Sequence, residues 1–192
     1  RGRYAGIGFW VINYLFQFFA MLLLLARGQA PDLLSMTGSN TLFTAGAIFV
    51  LIGLERFVEK PGRQVQNVIL LVVFVLAHAW FTLVTPNQDA RNILFSLALL
   101  FICVQCVWLL LRRVGAQARQ MINSVSLVFV LFCVVNLLRL IIDLLIPESN
   151  IFFHSDGFRT SLIVLIQMLS IALNFTLFIM VNRRMFADLQ RG

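Results

Sequence analysis

The sequence predicts an all-α protein, a polytopic bundle of helices that cross a membrane. Of its 192 residues, 60% are hydrophobic and only 12% are charged, whereas a soluble domain has about 25% charged residues. The apolar residues are collected into six stretches, each about the 20 residues that a helix needs to cross the hydrocarbon core. The four prolines all lie between these stretches, where they interrupt no helix.

The six predicted segments follow one another with short polar connections. Their approximate limits are Tyr4–Ala26, Leu34–Phe57, Asn67–Val84, Asn92–Leu111, Ile122–Ile146 and Ser161–Asn182. The connections contain glycine, proline and charged residues, which end helices and form turns. The longest connection is predicted to run from Pro147 to Thr160. Residues 1–182 are therefore predicted to form one transmembrane domain.

Lysine and arginine residues are unevenly distributed between the two ends of these segments. The N-terminal end, the second loop, the fourth loop and the C-terminal end each carry two or three, whereas the first, third and fifth loops carry one each. Cytoplasmic loops are enriched in Lys and Arg, so both chain ends are predicted to lie in the cytoplasm. This distribution also accounts for the net charge of +7, and we expect no nucleic-acid partner.

The fifth segment carries charges inside an apolar stretch. At about 100° per residue, Asn136, Arg139 and Asp143 fall on one face of a helix. Each charge costs at least about 2.5–3.5 kcal/mol in hydrocarbon. Arg139 and Asp143 are therefore expected to pair, to reach the headgroups or to serve a function. An i, i+4 pair that neutralises itself and a ligand-sensing site are both compatible with this pattern.

Other polar residues are predicted at a similar depth, in the outer half of the membrane. They are His78, Gln167 and Asn40, on three different segments, and Trp80 lies near His78 in sequence. Together with Asn136, Arg139 and Asp143 they form the candidate ligand-sensing site, a cavity near the outer surface that would take an unidentified small ligand. Intramembrane ionisable residues favour such a functional interpretation.

The remaining motifs do not predict catalysis or a cofactor. His78 and His154 could in principle hold a haem iron, but His154 falls in a predicted loop, so we expect no haem. Cys103 and Cys106 form a C-x-x-C pattern within an apolar segment, where small core residues are the simpler interpretation. We predict no catalytic or metal site in this chain. Gly46 and Gly53, seven residues apart, predict a close helix-packing seam.

The last segment is predicted to continue as a helix beyond the membrane. The run from Asn182 to Gln190 contains helix formers and no breaker. We predict that residues 183–192 begin a cytoplasmic signalling helix, often a dimeric coiled coil; a short amphipathic tail on the membrane surface is the alternative. The candidate signal-transmitting residues are Arg183, Arg184, Met185, Phe186 and Leu189.

Several of these residues form a pattern that resembles the multi-helix membrane input region of bacterial diguanylate cyclases with a GGDEF domain. The pattern consists of Arg27-Gly28-x-x-Pro31-Asp32-Leu33-Leu34-Ser35, Asn40, Gly46, Gly53-Leu54-x-Arg56-Phe57, Trp10, Arg91, Arg139 and the exit Asn182-Arg183-Arg184-Met185-x-x-x-Leu189. The resemblance covers nearly the whole chain. It implies a sensory domain in the bacterial inner membrane, often with one further helix upstream.

The resemblance also implies an output that lies outside this sequence. The chain starts without Met and contains no GGDEF motif, so we expect a piece of a longer homodimeric protein whose C-terminal part makes cyclic di-GMP from GTP. The sensor region of a histidine kinase is the first alternative. A small transporter or channel is the second, although helices without interior proline do not favour it.

Overall fold

The computed structural model of the chain describes residues 6–112, 116–145 and 156–189, and within this part it is all-α. Six α-helices and no strand occur there. Their bounds are α1 Ile7–Leu25, α2 Ser39–Phe57, α3 Val65–Leu83, α4 Gln88–Arg112, α5 Ala116–Leu145 and α6 Asp156–Leu189. Each contains a stretch long and apolar enough to cross a membrane. The predicted fold class is confirmed.

Four helices begin earlier than hydropathy predicts, and α3 does so by two residues, at Val65 and not Asn67. α4 starts at Gln88, not Asn92, because the side-chain oxygen of Asn87 accepts a hydrogen bond from the backbone N–H of Ala90 at 3.0 Å, as an N-cap does. α5 starts at Ala116 and α6 at Asp156, so the predicted loop Pro147–Thr160 is wrong at its C-terminal end. Hydropathy marks the hydrocarbon boundary, whereas a helix continues through polar residues that favour helical backbone.

The second predicted segment is not an α-helix throughout. A π-helix, Leu33–Gly38, covers its start and leads directly into α2. The Ser39 hydroxyl donates to the carbonyl oxygens of Ser35 at 2.6 Å and Met36 at 3.0 Å. π-Helices are rare and often lie at functional sites. We refer to Leu33–Gly38 as the π segment.

The chain divides into two compact units, Arg1–Ile102 and Cys103–Gly192. In the first unit, α1 packs closely on α2. A methyl group at Gly46 would lie 2.6 Å from Asn13 Oδ1, and one at Gly53 would overlap the Trp10 indole. The indole N–H of Trp10 also donates to the Val50 carbonyl at 3.4 Å. The predicted seam at Gly46 and Gly53 is confirmed.

In the second unit, α5 and α6 pack against each other. Buried side chains include Val125, Val135 and Leu140 on α5 and Leu169, Leu177 and Met180 on α6. Cys103 and Cys106 are buried, and with Cys133 they form no disulfide. This placement agrees with the interpretation of the C-x-x-C pattern as core residues.

Candidate functional site

A buried polar cluster in the first unit is centred on His78 of α3. The imidazole is completely buried. Thr37 Oγ1, from the π segment, lies 3.0 Å from His78 Nδ1, and Asn40 Nδ2, from the start of α2, lies 2.9 Å from His78 Nε2. Both ring nitrogens are thus held by the helix that precedes α3. We call Thr37, Asn40, His78 and Thr82 the histidine cluster.

The partners of the ring determine where its proton lies. An amide NH2 group can only donate, so Asn40 Nδ2 donates to His78 Nε2, and the proton of the neutral imidazole is on Nδ1. That N–H donates to Thr37 Oγ1. Thr37 Oγ1 lies 3.1 Å from Thr82 Oγ1, which in turn donates to the His78 carbonyl at 2.8 Å. The hydrogen bonds therefore run in one direction, from the ring through two hydroxyls back to the backbone of α3.

The histidine cluster is a cross-link between helices more than an open pocket. Thr37 and Asn40 are three residues apart, so their side chains emerge on the same side and reach opposite ends of one ring. The Phe74 ring, one turn before His78, lies against the imidazole with 5.4 Å between ring centroids. A ligand could bind either ring nitrogen only by displacing Asn40 or Thr37. Satisfied buried networks of this kind make one helix packing unique.

A cation that the sequence did not single out for the site approaches this cluster. Arg91, in the first turns of α4, donates from Nη1 to the Met36 sulfur at 3.2 Å. Met36 immediately precedes Thr37 in the π segment, so Arg91 contacts the segment that holds His78 Nδ1. Hydropathy places Arg91 in a loop, and nothing in the sequence links it to Met36, 55 positions away.

The second unit contains the predicted charged face of α5. Arg139 Nε lies 3.8 Å from Asp143 Oδ2, and the two side chains are 20% and 9% exposed. Asn136 is buried on the same face, and its Nδ2 donates to the Phe132 carbonyl at 2.8 Å. Among the residues that the structure describes, Asn136 Oδ1 has no hydrogen-bond partner. The three residues are close together, as the spacing predicts.

The other predicted site residues are placed differently. Trp80 is 55% exposed; two residues from His78 on a helix, it lies on nearly the opposite side of α3 and does not join the histidine cluster. Gln167 on α6 is exposed. Asn40 and His78 belong to the first unit, whereas Arg139, Asp143 and Gln167 belong to the second. The common cavity for all of them stays a prediction.

The structure also limits what the site can hold. Within the described ranges, no group of three or more His, Cys, Asp or Glu residues could hold a metal ion. His154, the second residue considered for haem, lies outside those ranges. The chemistry that the described site offers is hydrogen bonding and a cation, Arg91.

Helix α6 contains the predicted signal-transmitting residues. It runs without a break from Asp156 to Leu189, past the end of its apolar span at Arg183. The predicted helix is thus confirmed through Leu189, and the position of residues 183–192 in the cytoplasm stays a prediction. Arg183, Met185 and Phe186 are exposed. The side chains of Arg184 and Leu189 lie outside the described set.

No protein-family model, curated protein or solved structure matches this chain. The resemblance to the input regions of GGDEF proteins therefore stays a prediction. The features of the described structure that bear on function are the histidine cluster, the charged face of α5 and helix α6.

Proposed function

We propose that this chain is a membrane-embedded sensory domain that transmits its state through α6 to a cytoplasmic output domain in a homodimer. The observation that carries the proposal is the exposed face of α6. Residues spaced by seven form two adjacent rows along it: Ser161, Met168, Phe175, Asn182 and Leu189 in one, and Val164, Ile171, Phe178 and Met185 in the other. This is the spacing of positions a and d in a coiled coil.

The two rows lie on the side of α6 that faces away from α5. Among the members whose side chains the structure describes, all are exposed except Asn182, which is half-buried. The opposite face is buried, with Leu169, Leu177 and Met180 at its centre. Because α5 already covers that face, the exposed rows are available to a second helix.

The rows continue beyond the apolar span. That span ends at Arg183, yet Met185 and Phe186 remain 42% and 67% exposed. Lipid tails could cover Met168 or Phe175, but they do not reach apolar side chains outside the hydrocarbon core. A second α6 in parallel register would cover them, which supports a homodimer.

Asn182 supports a two-stranded arrangement in particular. It occupies an a position at the end of the span, and a single Asn at such a position specifies register and favours dimers because its amide pairs with its equivalent. The contact between the two rows of one α6 and those of its partner is called the dimer seam. A change in the sensory helices that shifts α5 against α6 would alter the dimer seam. The ligand or membrane state must differ in its affinity for the two arrangements.

The output that we propose is a diguanylate cyclase, following the resemblance in sequence. Forming cyclic di-GMP requires two GTP-bound catalytic domains to meet, so the relative placement of two α6 helices would control it. A histidine kinase would use the same helix, and the product formed distinguishes the two: cyclic di-GMP or a phosphorylated histidine. In either case the C-terminus lies in the cytoplasm.

Disulfide cross-linking in native membranes tests the dimer seam. In a variant with Cys103, Cys106 and Cys133 replaced by Ala, Met185→Cys is expected to give covalent dimers on mild oxidation. Leu177→Cys, on the face buried against α5, is the matched control and is expected to stay monomeric. Equal cross-linking of both variants, or cross-linking of neither, would contradict the proposal that two α6 helices pack through these rows.

The output is tested separately. Leu189 is joined in frame to a diguanylate cyclase catalytic domain, and cyclic di-GMP formation from GTP is measured in membranes. We expect formation to exceed that of the detached catalytic domain at equal concentration, because α6 brings two domains together. Equal rates would contradict a role of α6 in output.

A further inference from the structure

Arg91 is a charged side chain in a partly buried position. It lies in the first turns of α4, at the end of the helices that the charge distribution predicts to face outside, and it is half-buried. A guanidinium has five N–H donors and no acceptor. A buried or partly buried charge is costly unless it is paired.

The partner that the structure gives Arg91 is a weak one. Nη1 donates to the thioether sulfur of Met36 at 3.2 Å, and a thioether is only a weak acceptor. Among the residues that the structure describes, no carboxylate forms an ion pair with Arg91 within 4.0 Å. The first-unit carboxylates at this end of the helices are Asp32 and Asp89.

The π segment and the histidine cluster, which Arg91 approaches, contain no acidic residue. His78 is neutral because the amide nitrogen of Asn40 donates to its Nε2. Arg91 also lies near the N-terminus of α4, and the positive end of the helix dipole favours a nearby anion. The positive charge of Arg91 and the helix dipole both favour an anion at this position, and the described residues supply no counter-ion.

We infer that Arg91 binds an oxyanion, a carboxylate or phosphate group, at the junction of α4 and the π segment. The planar guanidinium fork fits two oxygens of either group better than it fits one sulfur. The oxyanion is supplied by a small soluble molecule or by a lipid headgroup, and the chemistry of recognition is the same for both. Binding itself does not depend on the output proposed above.

Anion binding at Arg91 would affect the histidine cluster through Met36. An oxyanion on Arg91 competes with Met36 for its N–H groups, and Met36 is adjacent to Thr37, which holds His78 Nδ1. A π-helix has an alternative hydrogen-bond register, the ordinary α-helical one. Releasing Met36 therefore acts on the segment that positions Thr37 and Asn40. This coupling, unlike binding, rests on the proposed sensory function.

Thermal unfolding of the purified full chain tests the binding. The protein is placed in dodecyl maltoside, whose headgroup carries no anion, at constant ionic strength set with chloride. Inorganic phosphate is titrated in one arm, and phosphatidylglycerol is added to the micelles in the other. A ligand of the native state raises Tm as its concentration passes Kd. A rise with phosphate assigns a soluble anion, and a rise with lipid alone assigns a headgroup.

Substitutions identify Arg91 as the binding group. Arg91→Gln is expected to weaken binding by about tenfold or more, because hydrogen bonds between charged groups are the strong ones. Arg27→Gln is the matched control: it removes an exposed arginine at the same predicted end and is expected to change nothing. Met36→Leu keeps the charge and removes the competing acceptor, so it is expected to tighten binding.

Two results would overturn the inference. One is a Tm rise in Arg91→Gln equal to that of the unsubstituted protein in both arms, and the other is no rise in either arm. If Arg91→Gln does not fold, an unchanged Kd in Met36→Leu has the same meaning. Cross-linking through Met185→Cys is measured independently, so anion binding without dimers refutes only the proposed output. Dimers without anion binding refute only this inference.

Discussion

The hydrogen bond between Thr37 and His78 is expected to stabilise the fold, and removing it is the most direct test of the histidine cluster. Thr37→Val keeps the shape of the side chain and removes its hydroxyl. His78 Nδ1–H then loses its acceptor at 3.0 Å, and Thr82 Oγ1 loses its neighbour at 3.1 Å. Because His78 is completely buried, no bulk water replaces the lost partner.

The size of the effect follows from this geometry. Leaving a buried donor without a partner costs about 1–3 kcal/mol. Thr82 Oγ1 already lies 3.5 Å from Nδ1, so a small rotation could replace part of the lost bond. We therefore expect the free energy of unfolding to fall by about 1–2 kcal/mol. For a domain of this size that corresponds to a decrease in Tm of about 2–8 °C.

Thr41→Val is the matched control for this substitution. Its hydroxyl is buried in α2, four residues after Thr37, and has no hydrogen-bond partner among the described residues. Removing it should change stability by less than about 0.5 kcal/mol or increase it, because no bond is lost. Both variants are measured by thermal unfolding in the same detergent.

The proton position gives a second readout of the same network. In ¹⁵N-histidine-labelled protein, the NMR signals of the His78 ring are expected to show that the proton is bound to Nδ1. The chain has two histidines, so His154→Gln identifies which signals belong to His78. Equal destabilisation by Thr37→Val and Thr41→Val, or a proton found on Nε2, would refute the direction of hydrogen bonding derived above.

Three further predictions concern the helix seam, the charged pair and α6. Gly53→Ala is expected to lower stability by about 1–3 kcal/mol because a methyl group there overlaps the Trp10 indole. Gly8→Ala, with open space around it, should be neutral or stabilising, and thermal unfolding compares the two. Arg139→Leu is expected to cost about 3 kcal/mol because it leaves the carboxylate of Asp143 without its cation. The double variant with Asp143→Leu should recover most of that loss, and if it also keeps normal cyclase output, the pair has no sensory role. Inserting one residue after Phe186 rotates the helix beyond it by about 100° and should change cyclic di-GMP formation. Inserting seven residues should restore it, and an output independent of insertion length would exclude transmission through a rigid α6.

The histidine cluster changes the interpretation of His78. In sequence, His78 is a candidate ligand-binding residue because a titratable side chain lies in an apolar segment. In the structure both of its nitrogens are occupied by the neighbouring helix, so its direct role is to fix α3 against the π segment and α2. A sensory role for His78 would be indirect, through movement of the π segment near Arg91.

The sequence by itself determines the helical architecture and the residues that share a helix face. Local rules predict the apolar stretches, the glycine seam at Gly46 and Gly53, the grouping of Asn136, Arg139 and Asp143, and the continuation of α6. Helix periodicity is about 3.6 residues, and hydrocarbon thickness sets the length of the spans. These rules need no knowledge of neighbouring helices.

Only the tertiary structure decided the partners of each polar side chain. Thr37 and His78 are 41 residues apart, and Met36 and Arg91 are 55 apart, so no local pattern connects them. The π segment was equally hidden, because its composition is that of an ordinary helix start. The physical reason is that a buried polar group is stabilised by whichever group packs against it, and packing between helices is set by side-chain shape along their whole length. His78 can therefore be proposed as a site from the sequence, whereas the contact between Arg91 and the π segment is known only from the fold.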